Sequence, residues 1–198
     1  MGLFQIWKSV LTNPKETFTV EKKNASFPNA IKHVAISGAI AGLFFTVMVV
    51  ILGAVAMSIL PKGTNNLSFS ALGVAGVFLL VLYPLLFSLF ATALSLVINA
   101  INFVLGKILG GKGSFSEQYY LYAIFTSPLL LINFLILMIP IAGFLLIWLS
   151  GLFTAAYGIY LLYLSLKEAH QIKELNAVAI TIFSIMIVLV AGVILSGK

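Results

Sequence analysis

Residues 34–60 read VAISGAIAGLFFTVMVVILGAVAMSIL, and this stretch decides the fold. No charged residue interrupts it, and it exceeds the roughly 20 residues a helix needs to cross the ~30 Å hydrocarbon core of a bilayer. In lipid, backbone amides must be satisfied inside the segment or in a closed barrel, so an unbroken apolar run of this length means a helix. A barrel would instead show alternating segments of about ten residues. The whole chain agrees: of 198 residues, 62% are hydrophobic and 8% charged, and mean hydropathy is +1.17. A soluble domain carries about a quarter of its residues charged, and that shell is missing.

Working outward, Pro61-Lys62-Gly63-Thr64-Asn65-Asn66 ends the first span with turn chemistry. A second apolar block runs 71–105 and stops at Gly106-Lys107; its length implies tilt, a kink near Pro84, or projection from the bilayer. The Gly110-Gly111-Lys112-Gly113 loop leads to a third span at 117–138, in which Ser127 stands ready to re-satisfy the backbone group freed by Pro128. Residues 119–166 cannot be one straight crossing, since 48 residues at 1.5 Å each would run about 72 Å. A hairpin at Pro140–Gly143 therefore separates the third span from a fourth at 143–166. The charged loop Lys167–Glu174 precedes a fifth at 176–196. The expected fold is an all-α integral membrane bundle of five helices, residues 34–198, behind a cytoplasmic segment at 1–33.

That segment is polar, with five Lys and two Glu, and lacks the pattern of a signal peptide. The myristoylation pattern fails at Ile6. Residues 1–12 read as a short amphipathic helix with Leu3, Phe4, Trp7, Val10 and Leu11 on one face. An in-plane interfacial helix is the expected role, formed by Phe4, Trp7, Lys8 and Leu11, with Trp7 at the headgroups and Lys8 toward anionic lipid. Packing on the ends of the bundle is the alternative. Asn13-Pro14-Lys15-Glu16 then reads as a capped helix start.

Lysine sets the orientation. Net charge is +6, every basic residue is Lys, and Asp is absent. In the five-helix arrangement Lys8, Lys15, Lys22, Lys23, Lys32, Lys107, Lys112, Lys167 and Lys173 fall on one side, Lys62 and Lys198 on the other. The positive-inside rule then places the N-terminus in the cytoplasm and the C-terminus outside. Lysines sitting between apolar blocks speak for topology and anionic lipid rather than nucleic acid.

Chemistry-bearing residues are sparse. No charged residue lies securely inside a span, whereas pumps, proton-coupled transporters and intramembrane hydrolases ordinarily need one. Cys is absent, which removes thiolate metal sites and disulfides. His33 and His170 lie at helix ends without metal-ligand spacing, and read as interfacial or loop residues. Gly110–Gly113 lacks Walker spacing. No cofactor, metal or enzymatic activity is expected.

One periodic feature stands out. Ser88, Thr92, Ser95, Asn99, Asn102 and Gly106 follow steps of 4, 3, 4, 3 and 4, which keeps them on one face of the second span. The seam reads as a helix contact stripe, with a polar cavity or solute path as the alternative. Further small-residue stripes at Gly38/Gly42, at Gly151/Ala155/Gly158, and at Ala177/Thr181/Ser184/Ala191 read as packing faces. Asn133 is expected to bond to a neighbouring helix, and Tyr119, Tyr120, Tyr122, Tyr157, Tyr160, Tyr163 and Trp148 to form interfacial belts. Asn66-Leu67-Ser68 is a glycosylation sequon on the expected outer loop.

In order along the chain, four groups of residues resemble the Yip-one domain family, the Ypt/Rab-GTPase-interacting membrane proteins, and especially its prokaryotic members. They are Trp7-Lys8-Ser9-Val10-Leu11-Thr12-Asn13-Pro14 with Phe18; Phe115-Ser116-Glu117-Gln118-Tyr119 with Tyr122 and Ser127-Pro128; Ile139-Pro140 with Gly143; and Tyr160 through His170 followed by Ala177. The Asp-Leu-Tyr-Gly-Pro element of eukaryotic members is absent, so Rab binding does not carry over. The resemblance implies a non-enzymatic multi-pass protein of the cell membrane, acting in membrane organisation, trafficking-like processes or recruitment of a cytoplasmic protein, with self-association open. The alternative is a small-solute transporter or channel subunit with its path along the seam.

Overall fold

The computed structural model describes residues 1–59, 69–137 and 143–195, and among these the chain is helical. Two short helices, α1 (Leu3–Thr12) and α2 (Pro14–Glu21), lead through a 3-10 turn at Lys22–Asn24 into five long ones. These are α3 (Phe27–Ile59), α4 (Phe69–Ile108), α5 (Phe115–Leu137), α6 (Gly143–His170) and α7 (Glu174–Leu195). Stretches in α3 to α6, namely Phe27–Ala56, Gly76–Ile108, Phe115–Leu137 and Trp148–His170, are long and apolar enough to cross a membrane. The fifth helix, α7, has 22 residues, about 33 Å at 1.5 Å per residue. The chain is therefore a multi-helix membrane bundle. The expected hairpin at Pro140–Gly143 and the sequon at Asn66 lie outside the described residues, apart from Gly143, which opens α6.

Helix ends explain where the boundaries fall. α3 begins at Phe27, ahead of its apolar block, because Ser26 Oγ accepts the Asn29 N–H at 3.3 Å and caps the first turn. At α2 the cap differs from expectation: Asn13 makes no side-chain bond to the helix backbone, and its amide donates to the Glu16 carboxylate instead. α4 runs past Gly106 to Ile108 and closes through Gly110, whose φ of +83° suits a left-handed helix terminus. α5 opens on a reciprocal capping box, in which Glu117 N–H donates to Ser114 Oγ at 3.2 Å and Ser114 N–H to Glu117 Oε2 at 2.6 Å.

The tightest helix contact is α3 on α4. A Cβ on Gly38 would stand 2.8 Å from the Ser88 Cα, and one on Gly42 2.6 Å from the Tyr83 carbonyl oxygen. These two glycines let the backbones touch, as small residues do between membrane helices. Thr46 Oγ1 bridges the pair by donating to the Leu79 carbonyl at 3.2 Å.

The α6 stripe behaves otherwise. Ala155 is exposed, and a Cβ on Gly151 would meet nothing within 4 Å. These two residues border open space instead of a helix contact. Ser127 is also not a rescuer of the Pro128 bend, since its hydroxyl is buried with no hydrogen-bond partner.

The core lies toward one end of the bundle. Val10, Phe18, Ala30, Tyr119, Leu121, Ile124 and Leu161 pack there from α1, α2, α3, α5 and α6. The N-terminal segment, the α4–α5 loop and the α6–α7 loop all meet at this end, hereafter the near end. Lys22 Nζ donates to the Glu168 carbonyl at 2.6 Å, Lys112 N–H to the His170 carbonyl at 2.9 Å, and Asn176 Nδ2 to the Leu109 carbonyl at 3.2 Å. The outward faces of α4 and α7 are apolar and exposed, from Val77 to Val104 and from Leu175 to Val193.

Candidate functional site

The near end is assembled from segments far apart in sequence. α1 lies against the bundle, not free of it. Trp7, expected at the headgroups, is 4% exposed, and its indole N–H donates to His33 Nδ1 at 2.8 Å. His33, expected at an interface, is likewise buried, and accepting at Nδ1 puts the neutral ring's proton on Nε2. Ile6 and Val10 are buried beside Trp7, and Leu11 is partly buried with its carbonyl accepting from Tyr157 OH at 2.8 Å. Phe4 is 67% exposed and Lys8 is exposed, so α1 keeps an outward edge while its Trp7 face is spent on the protein.

α2 is tied down by a carboxylate. Glu21 is buried, and Tyr120 OH donates to its Oε2 at 2.7 Å. A polar group removed from water needs such a partner. Tyr119 and Tyr120, expected in an interfacial belt, are therefore interior residues. Tyr119 OH is bonded to Ser95 Oγ at 3.0 Å, and its ring stacks on Phe115 with centroids 5.8 Å apart.

The polar seam of α4 meets a different neighbour at each step. Ser88 lies under Gly38 of α3. Thr92 Oγ1 donates to the Ser88 carbonyl at 2.7 Å within α4. Ser95 reaches Tyr119 of α5. Asn99 Nδ2 donates to the Ser95 carbonyl at 2.8 Å, and the Asn99 carbonyl accepts from Gln118 Nε2 at 3.0 Å. Asn102 Oδ1 accepts from Ser184 Oγ of α7, while Asn102 Nδ2 is buried without a partner. Asn133, further along, accepts at Oδ1 from Thr154 Oγ1 of α6 at 2.9 Å.

His170 closes the near end. Expected in a loop, it is fully buried, and its Nε2 is hydrogen-bonded to Gln118 Oε1 at 2.5 Å. Three glycines make room for this end of α6. An added Cβ would stand 2.6 Å from the imidazole Cε1 at Gly106, 2.6 Å from its Nδ1 at Gly111, and 2.1 Å from the Ala169 carbonyl oxygen at Gly113. A chain of polar groups thus runs His170–Gln118–Asn99–Ser95–Tyr119. Sequence reading missed Gln118, Glu21 and the fit of the glycines to His170. The spacing of Gly106, Gly111 and Gly113 was the one available signal.

Over this buried network lies a lysine face. Lys8, Lys15, Lys23, Lys32, Lys107, Lys112 and Lys173 are exposed. Lys167 pairs with Glu174 at 2.5 Å, an exposed pair of small energetic weight. Among the described residues no group of three His, Asp or Glu side chains is placed to hold a metal.

Fold and near end together define a polytopic helical membrane protein whose N-terminal segment is folded onto one end of its bundle. A family model described as the Yip1 domain matches residues 8–195, nearly the whole chain. The chain belongs to that family. No curated protein and no solved structure matches it.

Proposed function

We propose that the chain is a non-enzymatic Yip1-type protein that organises membrane and recruits a cytoplasmic protein at its near end. The observation that carries this reading is the anchoring of residues 1–26 by Trp7–His33, Tyr120–Glu21 and Lys22–Glu168. Those bonds hold the N-terminal segment, and Lys112–His170 and Asn176–Leu109 hold the α4–α5 loop against the α6–α7 loop, so lysines from all three are preorganised at one end. Preorganisation lowers the ordering cost of binding, and a face on which Lys outnumbers Glu steers an acidic partner or anionic lipid toward it. The near end is then the cytoplasmic side, consistent with the lysine asymmetry of the sequence. The protein resides in the cell membrane, nucleic acid is not a partner, and self-association is compatible with the exposed flanks of α4 and α7.

Support for a solute path along the α4 seam is weaker. The Ser95 and Asn102 side chains and the Asn99 backbone carbonyl are each spent on a neighbouring helix, so these residues stitch helices together. The proposal is tested with a Lys8→Gln, Lys15→Gln, Lys23→Gln, Lys112→Gln variant in native membranes. Partner capture should fall at least about tenfold, the removal of several weak charge contacts, with expression unchanged. Unchanged capture contradicts the proposal, and solute flux abolished by Asn99→Leu in a folded protein would favour the transport reading.

A further inference from the structure

A cavity of about 770 Å³ lies among α3 to α7, past the near-end core. Its volume is within the roughly 300–1,000 Å³ typical of small-ligand sites. One wall is made by Gly151, Ala155 and Gly158 of α6. A Cβ on Gly151 would meet nothing within 4 Å, so its smallness leaves room that no neighbouring helix takes up. Leu94, Ile159 and Leu189 line the cavity and are also exposed. The cavity is therefore continuous with the apolar face that contacts lipid.

Three observations narrow the occupant. Among the described residues no charged side chain lines the cavity, and an uncompensated charge at membrane depth is costly. Ser37, Thr126, Thr154 and Ser184 line it, but the hydroxyls of Ser37 and Thr126 already donate to a carbonyl of their own helix, and those of Thr154 and Ser184 to Asn133 and Asn102. Ser127 differs: it belongs to the wall, is 1% exposed, and its hydroxyl has no partner. Ser127 lies twelve residues beyond Phe115 in α5, about 18 Å at 1.5 Å per residue, which is midway along the helix. A buried donor there calls for an acceptor from whatever fills the space.

We propose that this cavity is a lateral binding site for an uncharged acyl lipid, a diacylglycerol-like molecule that enters from the bilayer and offers an ester carbonyl to Ser127. The inference goes beyond the recruitment reading and stands independently of it.

The test uses the full chain in phosphatidylcholine vesicles with a photoreactive diacylglycerol carrying a diazirine on one acyl chain. Cross-links are mapped by mass spectrometry. Saturable labelling of α5 and α6 residues facing the cavity is expected, displaced by unlabelled diacylglycerol. Gly151→Phe starts from a Cβ position with nothing within 4 Å and puts a ring into the open space; it should abolish that labelling while leaving thermal unfolding unchanged. Leu152→Phe, on the outward face of α6, should leave it intact. Ser127→Ala should weaken competition about fivefold, the loss of one hydrogen bond. Equal labelling by the matching photoreactive phosphatidylcholine overturns the assignment to an uncharged lipid. Labelling that is absent, does not saturate, or survives Gly151→Phe overturns the site itself.

Discussion

Gly111 lacks a side chain because His170 occupies the space one would need. The imidazole is buried, held at Nε2 by Gln118, and an alanine methyl at 111 would stand 2.6 Å from its Nδ1. Gly111→Ala should therefore cost about 1–3 kcal/mol as an overpacked core site, read by denaturant unfolding in detergent. Combining it with His170→Ala should recover part of that loss, since neighbours couple in a double-mutant cycle. Full additivity would contradict the contact. Such fits were not legible beforehand. A lone His at a helix end reads as a loop residue, and the spacing of Gly106, Gly111 and Gly113 signals a close approach without naming His170 as what approaches. The seam residues were legible as a set, because a 4-3 step keeps them on one face whatever surrounds the helix. Their partners were not, since periodicity names a face and not a neighbour.

At the scale of elements, α1 shows what an amphipathic pattern can and cannot say. One apolar face suits a bilayer surface and a bundle end equally, so the sequence supports both placements of Trp7. Tertiary structure decides for the bundle through the Trp7–His33 hydrogen bond and the burial of Ile6 and Val10. Trp7→Ala should release α1 alone. A buried Trp truncated to Ala costs about 3–5 kcal/mol, and that loss falls on a terminal unit able to open locally. Amide exchange across residues 3–12 should rise at least about a hundredfold, with α5 unchanged. If exchange in α1 does not respond, the helix is held by lipid and not by the bundle. The long helices were more readable: α3 to α7 follow the apolar blocks, with ends moved by caps such as Ser26 and Ser114.

For the whole molecule, hydropathy carried most of what could be read, because the bilayer penalises charge so heavily that loops and spans separate by composition alone. The way the N-terminal segment, the α4–α5 loop and the α6–α7 loop close over one end emerged only in three dimensions. The proposed orientation makes a direct prediction. The chain has no Cys, so single substitutions report cleanly. Lys23→Cys and Lys112→Cys should react with a membrane-impermeant maleimide only after the cytoplasmic side is opened, and Asn65→Cys should react in intact cells. The reverse pattern would invert the topology.

The central claim is that the lysine face at the near end gathers a cytoplasmic protein. Lysine-directed cross-linking in the native membrane, with cross-linked peptides identified by mass spectrometry, tests it most directly. One recurring protein partner joined through Lys8, Lys15, Lys23, Lys107 or Lys112 is the predicted result. Cross-links confined to lipid and to other copies of the chain would contradict it.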